Sequence, residues 1–554
     1  MKQKAETENM KQTLIIAFAI LLALTAYYFG LFIDLTGDSG KYAAIARHVF
    51  ESGDCINLRI HAEPYDQKPP LLFWLSALGF ELWGLHNWSF KIFPLLYGFL
   101  SIFFTYQLGK TLYGKQTGTL AAIFLSTSEI YFLYTMDVHT DLILVTNVTL
   151  AIWQLAAYLK TQKTSNFIFA FVAIGLAMMS KGAIGAAIPA FALGTHLIAK
   201  RDFKQLFHPK WIPGILIALL TATPAFLGLI NQFGLEGIKF FFITNNVGRI
   251  TGEYAGSNSD PFFYLHSSLY LFLPWTFFLI RGVVLEFRQI LREGKDKSEY
   301  LTTGGIWIFF IIASLSKGKA PHYIFMLIPM FMVITAKWLV EALEKGSPKR
   351  IKQLLFAQNT LNTLLLLFIG IAMFYLFPTQ KIIYPILLIL SLAACLLVLK
   401  SGFGKNYKLI LPGAILISTL AVFLNSSALP KAFSYQASTK AAKIYNENAA
   451  PAEKIFSYHY PQYEIFFYAK SDAIQLYSLH DLPKLLPEEK FWLLTTEAGK
   501  DSIQSNPDLK IIAEHPLKNR GMNRAGLQFI LPSSRERSLD TVYLIEAKTN
   551  EQIQ

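Results

Sequence analysis

The chain has 554 residues, of which 53% are hydrophobic, 15% aromatic and 16% charged. Soluble domains carry about 25% charged residues. This composition, with a mean hydropathy of +0.38, therefore excludes an ordinary soluble enzyme, a disordered chain and a collagen-like one. The net charge of +13 would suit a nucleic-acid binder in total, but the basic residues sit in short connections between apolar runs, and that distribution excludes a nucleic-acid partner.

Thirteen apolar segments of membrane-spanning character follow one another: 13–33, 90–109, 117–134, 140–160, 167–179, 183–199, 212–231, 262–280, 303–316, 321–343, 354–376, 382–399 and 408–426. Two of them, 167–179 and 303–316, are short for a hydrocarbon core of about 30 Å. The connections 110–116, 160–163, 200–210, 281–297, 345–352 and 400–408 carry 20 Lys and Arg, against 6 in 135–139, 180–182, 232–261, 317–320 and 377–381. The positive-inside rule puts the first group, and the N-terminus with Lys2, Lys4 and Lys11, in the cytoplasm. Parity then leaves 70–85 on the outer face as an interfacial or re-entrant helix, with Trp74, Trp83 and Trp88 suited to the aromatic belt. The first outer loop runs from 34 to 88. The first span has no small-residue cleavage site and reads as a retained anchor.

Beyond 426 the apolar runs end. KIFSYHY, FWLLTT, LKIIAEH, AGLQFIL and DTVYLIEA are strand-like stretches separated by polar segments. The expected fold is a polytopic α-helical membrane domain over 1–426, followed by a soluble α/β domain over 427–554 on the outer, periplasmic side. Cys55 and Cys395 are too few for a disulfide framework.

A transporter concentrates ionisable groups at mid-membrane. Here the polar groups gather at outer ends of spans and in outer loops: Asp38, Lys68, Asp137, His139, Asp141, Lys181, Arg249, Lys317, Lys319, His322 and Tyr323. Carboxylates and cations mixed at the outer rim suggest chemistry on an anionic lipid head group. In GDSGKYAAIARHVFESGD (37–54), Asp38 precedes an amphipathic helix with Tyr42 on its apolar side, and is either its N-cap or a general base. In YDQKPPLLFW (65–74), the two prolines hold Lys68 above the apolar helix, where it either snorkels or binds phosphate. TMDVHTDLILV (135–145) brings Asp137, His139 and Asp141 together. Only one histidine and two acids are local, so we assign no metal there, and Asp141 also suits an N-cap. MMSKGAIG (178–185) sets Lys181 in a tight turn. FITNNVGRITGEYAGSNSDPFFY (242–264) holds Arg249, a bidentate phosphate ligand or a loop ion-pair partner. SLSKGKAPHYIFMLIP (314–329) adds Lys317, Lys319, His322 and Tyr323, together an anion pocket.

These motifs, in this order over roughly 30–340, resemble the bacterial aminoarabinose transferase and protein O-mannosyltransferase group, GT-C fold glycosyltransferases that use polyprenyl-phosphate sugars. The C-terminal outer domain also resembles the aminoarabinose transferase layout. The resemblance implies an inverting transfer of a hexosyl or pentosyl group at the periplasmic face of the bacterial inner membrane, from a polyprenyl-phosphate sugar donor to a lipid A-like glycolipid, another envelope glycan or a protein, by a monomer among membrane lipids. It assigns Asp38 and Asp141 as the catalytic acids and Lys68 and Arg249 as the donor phosphate ligands. It gives substrate contacts to Tyr42, Asp137, Lys181, Lys317, Lys319, His322 and Tyr323. The chain departs from the group at Ser39, where Glu is common, at Gln67, where an acid precedes the lysine, and at Asn245 or Asn246, where His is common. The last two departures speak against zinc and leave a divalent metal cofactor open. The competing readings are a lipid or sugar flippase and a non-enzymatic envelope protein.

Overall fold

The computed structural model describes residues 2–253, 258–485, 490–521 and 526–549. Among them nine helices are long and apolar enough to cross a membrane, or ten if the bent pair Lys115–Ser126 and Glu129–Met136 is one span. Ile184–Ala199 and Leu301–Leu315 are shorter apolar helices that match two more expected spans. The protein is thus a polytopic helical membrane protein carrying a C-terminal sheet.

One expected span is corrected. Segment 262–280 is not continuous: it forms the helices Phe263–Leu271 and Thr276–Glu293. Pro274 has no N–H to continue a helix, and the carbonyls freed at this break find partners elsewhere. Leu273 O accepts the Glu129 amide at 2.9 Å, and Pro274 O accepts Gln358 Nε2 at 3.1 Å. The break therefore docks on the bend of the 115–136 pair, where the two helices differ by 55°.

Several contacts join connections that charge assigns to the same side. At one end Lys160 bonds the Thr111 carbonyl, and Lys200 Nζ donates to Lys295 O at 3.0 Å. At the other end Gly318 N donates to Arg249 O at 2.9 Å. The helix Leu71–Trp83, expected as interfacial, has 13 residues. At 1.5 Å per residue it reaches only about 20 Å, too short for a hydrocarbon core. It packs between Asp38–Ser52 and Asn87–Tyr113.

Lys91 and Lys337 differ from the expectation of nearly charge-free spans, the second pairing with Glu286 of the 281–297 connection. Lys91, fully buried, donates to Gly30 O at 3.2 Å and Ile33 O at 2.6 Å. These are carbonyls at the C-terminal end of the first helix, which lack intrahelical donors and favour a cation. Glu286 lies 2.7 Å from Lys297 and 3.0 Å from Lys337. Both clusters are closed by their own partners.

In the C-terminal region the strand order is Ile474–Leu476, Lys454–Tyr458, Lys490–Thr496, Asp540–Thr549 and Leu509–Asn519. The first three run parallel and the last two pair antiparallel. Side chains alternate across the sheet. Phe491 and Leu493 join a core with Phe456 and Ile545, while Trp492 and Leu494 face the core shared with the Asp38–Ser52 helix. AGLQFIL, expected as a strand, instead contains the short helix Leu527–Ile530. Its Phe529 is buried against Ile33 and Phe433, so a single apolar residue sets its place and no strand alternation is needed. Ala525 lies outside the described residues.

Candidate active site

A cavity of about 340 Å³ opens at the end of the bundle that carries the C-terminal sheet. Separated segments build it, and several do so for a local reason. Asp38 is the first residue of its helix. Gly37 precedes it at φ 58°, a conformation that costs a residue with a Cβ about 1–2 kcal/mol. Asp38 does not cap that helix, because the cap position is Gly37. Its carboxylate is exposed to the cavity and has no hydrogen-bond or ion-pair partner among the described residues. Lys68 follows in the bend before Pro69 and Pro70. Lys181 ends a helix at the turn through Gly182, whose φ of 74° again suits glycine. Arg249 sits on the helix Asn245–Thr251. The sequence reading had placed it in an open loop; residues 254–257 of that loop are outside the described residues. His322 and Tyr323 lie in the 3-10 helix Pro321–Leu327.

Of the residues singled out by sequence, Asp38, Tyr42, Lys68 and Asp141 line the cavity, and so do Lys181, Arg249, His322 and Tyr323. Asp137, Lys317 and Lys319 do not. Asp137 turns toward His139, with Oδ2 at 3.1 Å from Nε2. Lys317 is exposed, and its backbone bonds Ile250 O and Asn258 N. Lys319 Nζ donates to Asn258 O at 2.8 Å. These two lysines bond Ile250 and Asn258 instead.

Charge inside the cavity is arranged by contact. Asp141, 1% exposed, holds the Lys181 ammonium at 2.6 Å. Lys181 Nζ also lies 4.6 Å from the centre of the Tyr323 ring. Arg249 donates from Nη1 to the Tyr323 hydroxyl at 2.6 Å and from Nε to Asn245 Oδ1 at 3.0 Å. Burial pushes the Lys68 ammonium down to about 7, and repulsion from Lys181 and Arg249 adds to it against the pull of Asp141 and Asp38. A cation held so far from water gains when an anion arrives beside it. The far wall is apolar and comes from Ile184, Ala187 and Phe191 on one short helix and Phe309, Ile312 and Ala313 on the other.

Lys41 was missed by the sequence reading. It is 9% exposed, donates to Gln67 Oε1 at 3.0 Å, and lies about 5 Å from the rings of Tyr65 and Tyr463. Its position three residues after Asp38 on one helix face was the available signal. Burial lowers its pKa, partly offset by Asp38 and Asp66. Tyr463 was beyond reach, since it comes from the C-terminal domain.

That domain also holds the start of the Asp38 helix. Glu464 Oε1 accepts the Gly37 amide at 2.8 Å, and the Tyr468 hydroxyl accepts the Leu35 amide at 2.8 Å. Arg47, 6% exposed, donates Nη1 to Ala469 O at 2.7 Å and more weakly to Phe466 O and Phe467 O.

The positions where the resembled group binds zinc do not suit a cation here. Gln67 Oε1 faces the Lys41 ammonium and Asn245 Oδ1 faces the Arg249 guanidinium. Both amide oxygens are taken by positive groups. The Asn246 side chain lies outside the described residues.

Comparison with known proteins places this geometry. The family model for dolichyl-phosphate-mannose-protein mannosyltransferase matches residues 67–227. An uncharacterized protein of Aquifex aeolicus is 28% identical over 350 residues, 62% of this chain and 66% of that protein. An undecaprenyl phosphate-alpha-4-amino-4-deoxy-L-arabinose arabinosyl transferase of Pseudomonas fluorescens is 26% identical over 378 residues, 67% of this chain and 66% of its own length. The chain thus spans just under two thirds of the length of these relatives. The crystal structure of ArnT from Cupriavidus metallidurans bound to undecaprenyl phosphate superposes with a TM-score of 0.75 at 17% identity, over 96% of this chain and 97% of that one. The apo form of the same protein gives 0.72. The chain therefore shares the fold of that structure.

Proposed function

We propose that this protein is a membrane glycosyltransferase that moves a sugar from a polyprenyl-phosphate donor to an envelope acceptor at the periplasmic face, with inversion. One observation carries the reading: Lys68, Lys181 and Arg249 converge with Asp38 and Asp141 on one cavity whose far wall is apolar. An isoprenoid phosphate matches that division, with its chain on the apolar wall and its phosphate among the cations. The relatives named for undecaprenyl phosphate substrates support the same donor class.

In the reaction, an acceptor oxygen attacks the anomeric carbon as the bond from that carbon to the donor phosphate oxygen breaks. The electron pair leaves with the phosphate. Negative charge grows on that oxygen, and Lys68 and Arg249 stabilise it as it develops. A hydroxyl acceptor must also lose a proton, and Asp38, free of other partners, takes it as general base. An acceptor that is already a phosphate anion needs no base. Asp141 acts through Lys181, holding the ammonium at the cavity wall. Tyr323 orients Arg249, and Tyr42 packs beneath. The N-terminus then lies in the cytoplasm and the C-terminal domain in the periplasm of a bacterial inner membrane.

Mass spectrometry of glycolipids and glycoproteins from cells with the chain, without it and with Asp38→Asn tests this reading. A sugar modification lost with the chain supports it and names the acceptor. An unchanged glycan profile in all three, with translocation of a lipid or sugar lost in the deletion, would assign a flippase instead.

A further inference from the structure

The sequence reading dismissed a metal at Asp137–His139–Asp141 because one histidine and two acids are too few. The fold supplies the missing ligand. His322, from a turn nearly two hundred residues later, enters the same spot, and one ligand atom each of His139, Asp141 and His322 lies within 4.8 Å of the others. We propose that these three residues bind a divalent transition cation of the zinc class beside the cavity, through ligands other than Gln67 and Asn245.

The surroundings are those of a metal site. Asp137 Oδ2 accepts from His139 Nε2 at 3.1 Å, so the other ring nitrogen keeps its lone pair. A carboxylate holding a ligating imidazole in this way fixes its tautomer and raises its basicity. Tyr134 packs edge-on against both imidazoles, with ring centres 6.0 Å from His139 and 5.7 Å from His322. Tyr42 meets His139 at 90°. Both rings are thus steered before an ion arrives. Two imidazoles and one carboxylate select zinc or cobalt over magnesium or calcium, which take oxygen ligands. Donors around a tetrahedral zinc lie about 3.3 Å apart, given bonds of about 2.0–2.1 Å, so the ligands close inward by side-chain rotation. Asp141 and His322 also line the cavity.

Lys181 is the competing cation, since its ammonium lies 2.6 Å from Asp141 Oδ1. Any catalytic use of the ion rests on the glycosyltransferase reading; the binding does not.

The test uses the purified full-length chain in detergent, stripped with chelator and titrated with Co²⁺ and then Zn²⁺. One Co²⁺ per chain is expected, with the visible absorption of a tetrahedral site, displaced by Zn²⁺ and not by Mg²⁺. Asp137→Asn keeps every ligand and weakens binding roughly 10–100-fold. His322→Ala and His139→Ala weaken it further. Lys181→Met strengthens it. Gln67→Ala with Asn245→Ala leaves it unchanged. Metal-free melting curves identify variants that fail to fold, and His322→Asn is the milder replacement. Absence of stoichiometric Co²⁺ binding in the folded wild type overturns the proposal, and so does binding unaffected in folded His322 variants. Metal binding without any glycosyl transfer would leave this site standing and remove the function proposed above.

Discussion

Glu464 reaches from the C-terminal domain to accept the Gly37 amide at 2.8 Å, one residue before Asp38, while its other oxygen accepts from Ser438 Oγ at 2.9 Å. The C-terminal region therefore braces the backbone just before Asp38, which lines the cavity. Gly40 leaves room for this contact, because a Cβ there would lie 2.8 Å from Glu464 Cγ. Glu464→Ala strands a buried amide, at about 1–3 kcal/mol, and releases the start of the Asp38 helix. The expected result is a fall in kcat of about tenfold with donor KM little changed, and rescue by Glu464→Gln, whose amide oxygen still accepts from Gly37. A fall confined to KM, or no rescue by Gln, would contradict the positioning role.

Lys68 predicts a pH dependence. In the free protein burial brings its pKa to about 7, so the ammonium needed for the donor phosphate disappears as pH rises through that value. Donor capture, read as kcat/KM, falls on the alkaline side, and donor binding there takes up a proton. Lys68→Arg keeps its charge throughout this range and flattens the alkaline limb, whatever its absolute rate. An unchanged limb in that variant would assign the titration to another group.

Lys181 and Asp141 form a buried pair, with side chains 14% and 2% exposed. Removing one partner of such a pair costs about 3–5 kcal/mol, because the other charge is left uncompensated. In metal-free protein Lys181→Met lowers the melting temperature, and Asp141→Asn on that background recovers most of the loss. Additive losses in this double-mutant cycle would mean the two residues are not energetically coupled.

Much of this arrangement was legible in the sequence, for identifiable reasons. Apolar run length and the Lys/Arg bias encode the helices and the two ends of the bundle. The prolines after Lys68 and the glycines beside Asp38 and Lys181 are local signals, and they mark segments that reach the cavity. What stayed hidden depends on distant contacts. The break at Pro274 looked like a continuous span because its flanks are mostly apolar and carry no Asp, Glu, Lys or Arg. Glu464, Tyr463 and Tyr468 carry no local sign that they touch the first outer loop, and nothing in PHYIF says that His322 ends beside His139. Lys317 and Lys319 had the right charge and the right connection, but pack outside the cavity.

The central claim is that the cations of this cavity hold an isoprenoid phosphate. Native mass spectrometry of the purified chain with undecaprenyl phosphate tests it without knowledge of sugar or acceptor. One bound lipid per wild-type chain is expected, weakened roughly 10–100-fold in Lys68→Ala and in Arg249→Ala, since each removes a charge-assisted hydrogen bond of about 1.5–3 kcal/mol. Retention equal to wild type in the folded double variant would contradict the account.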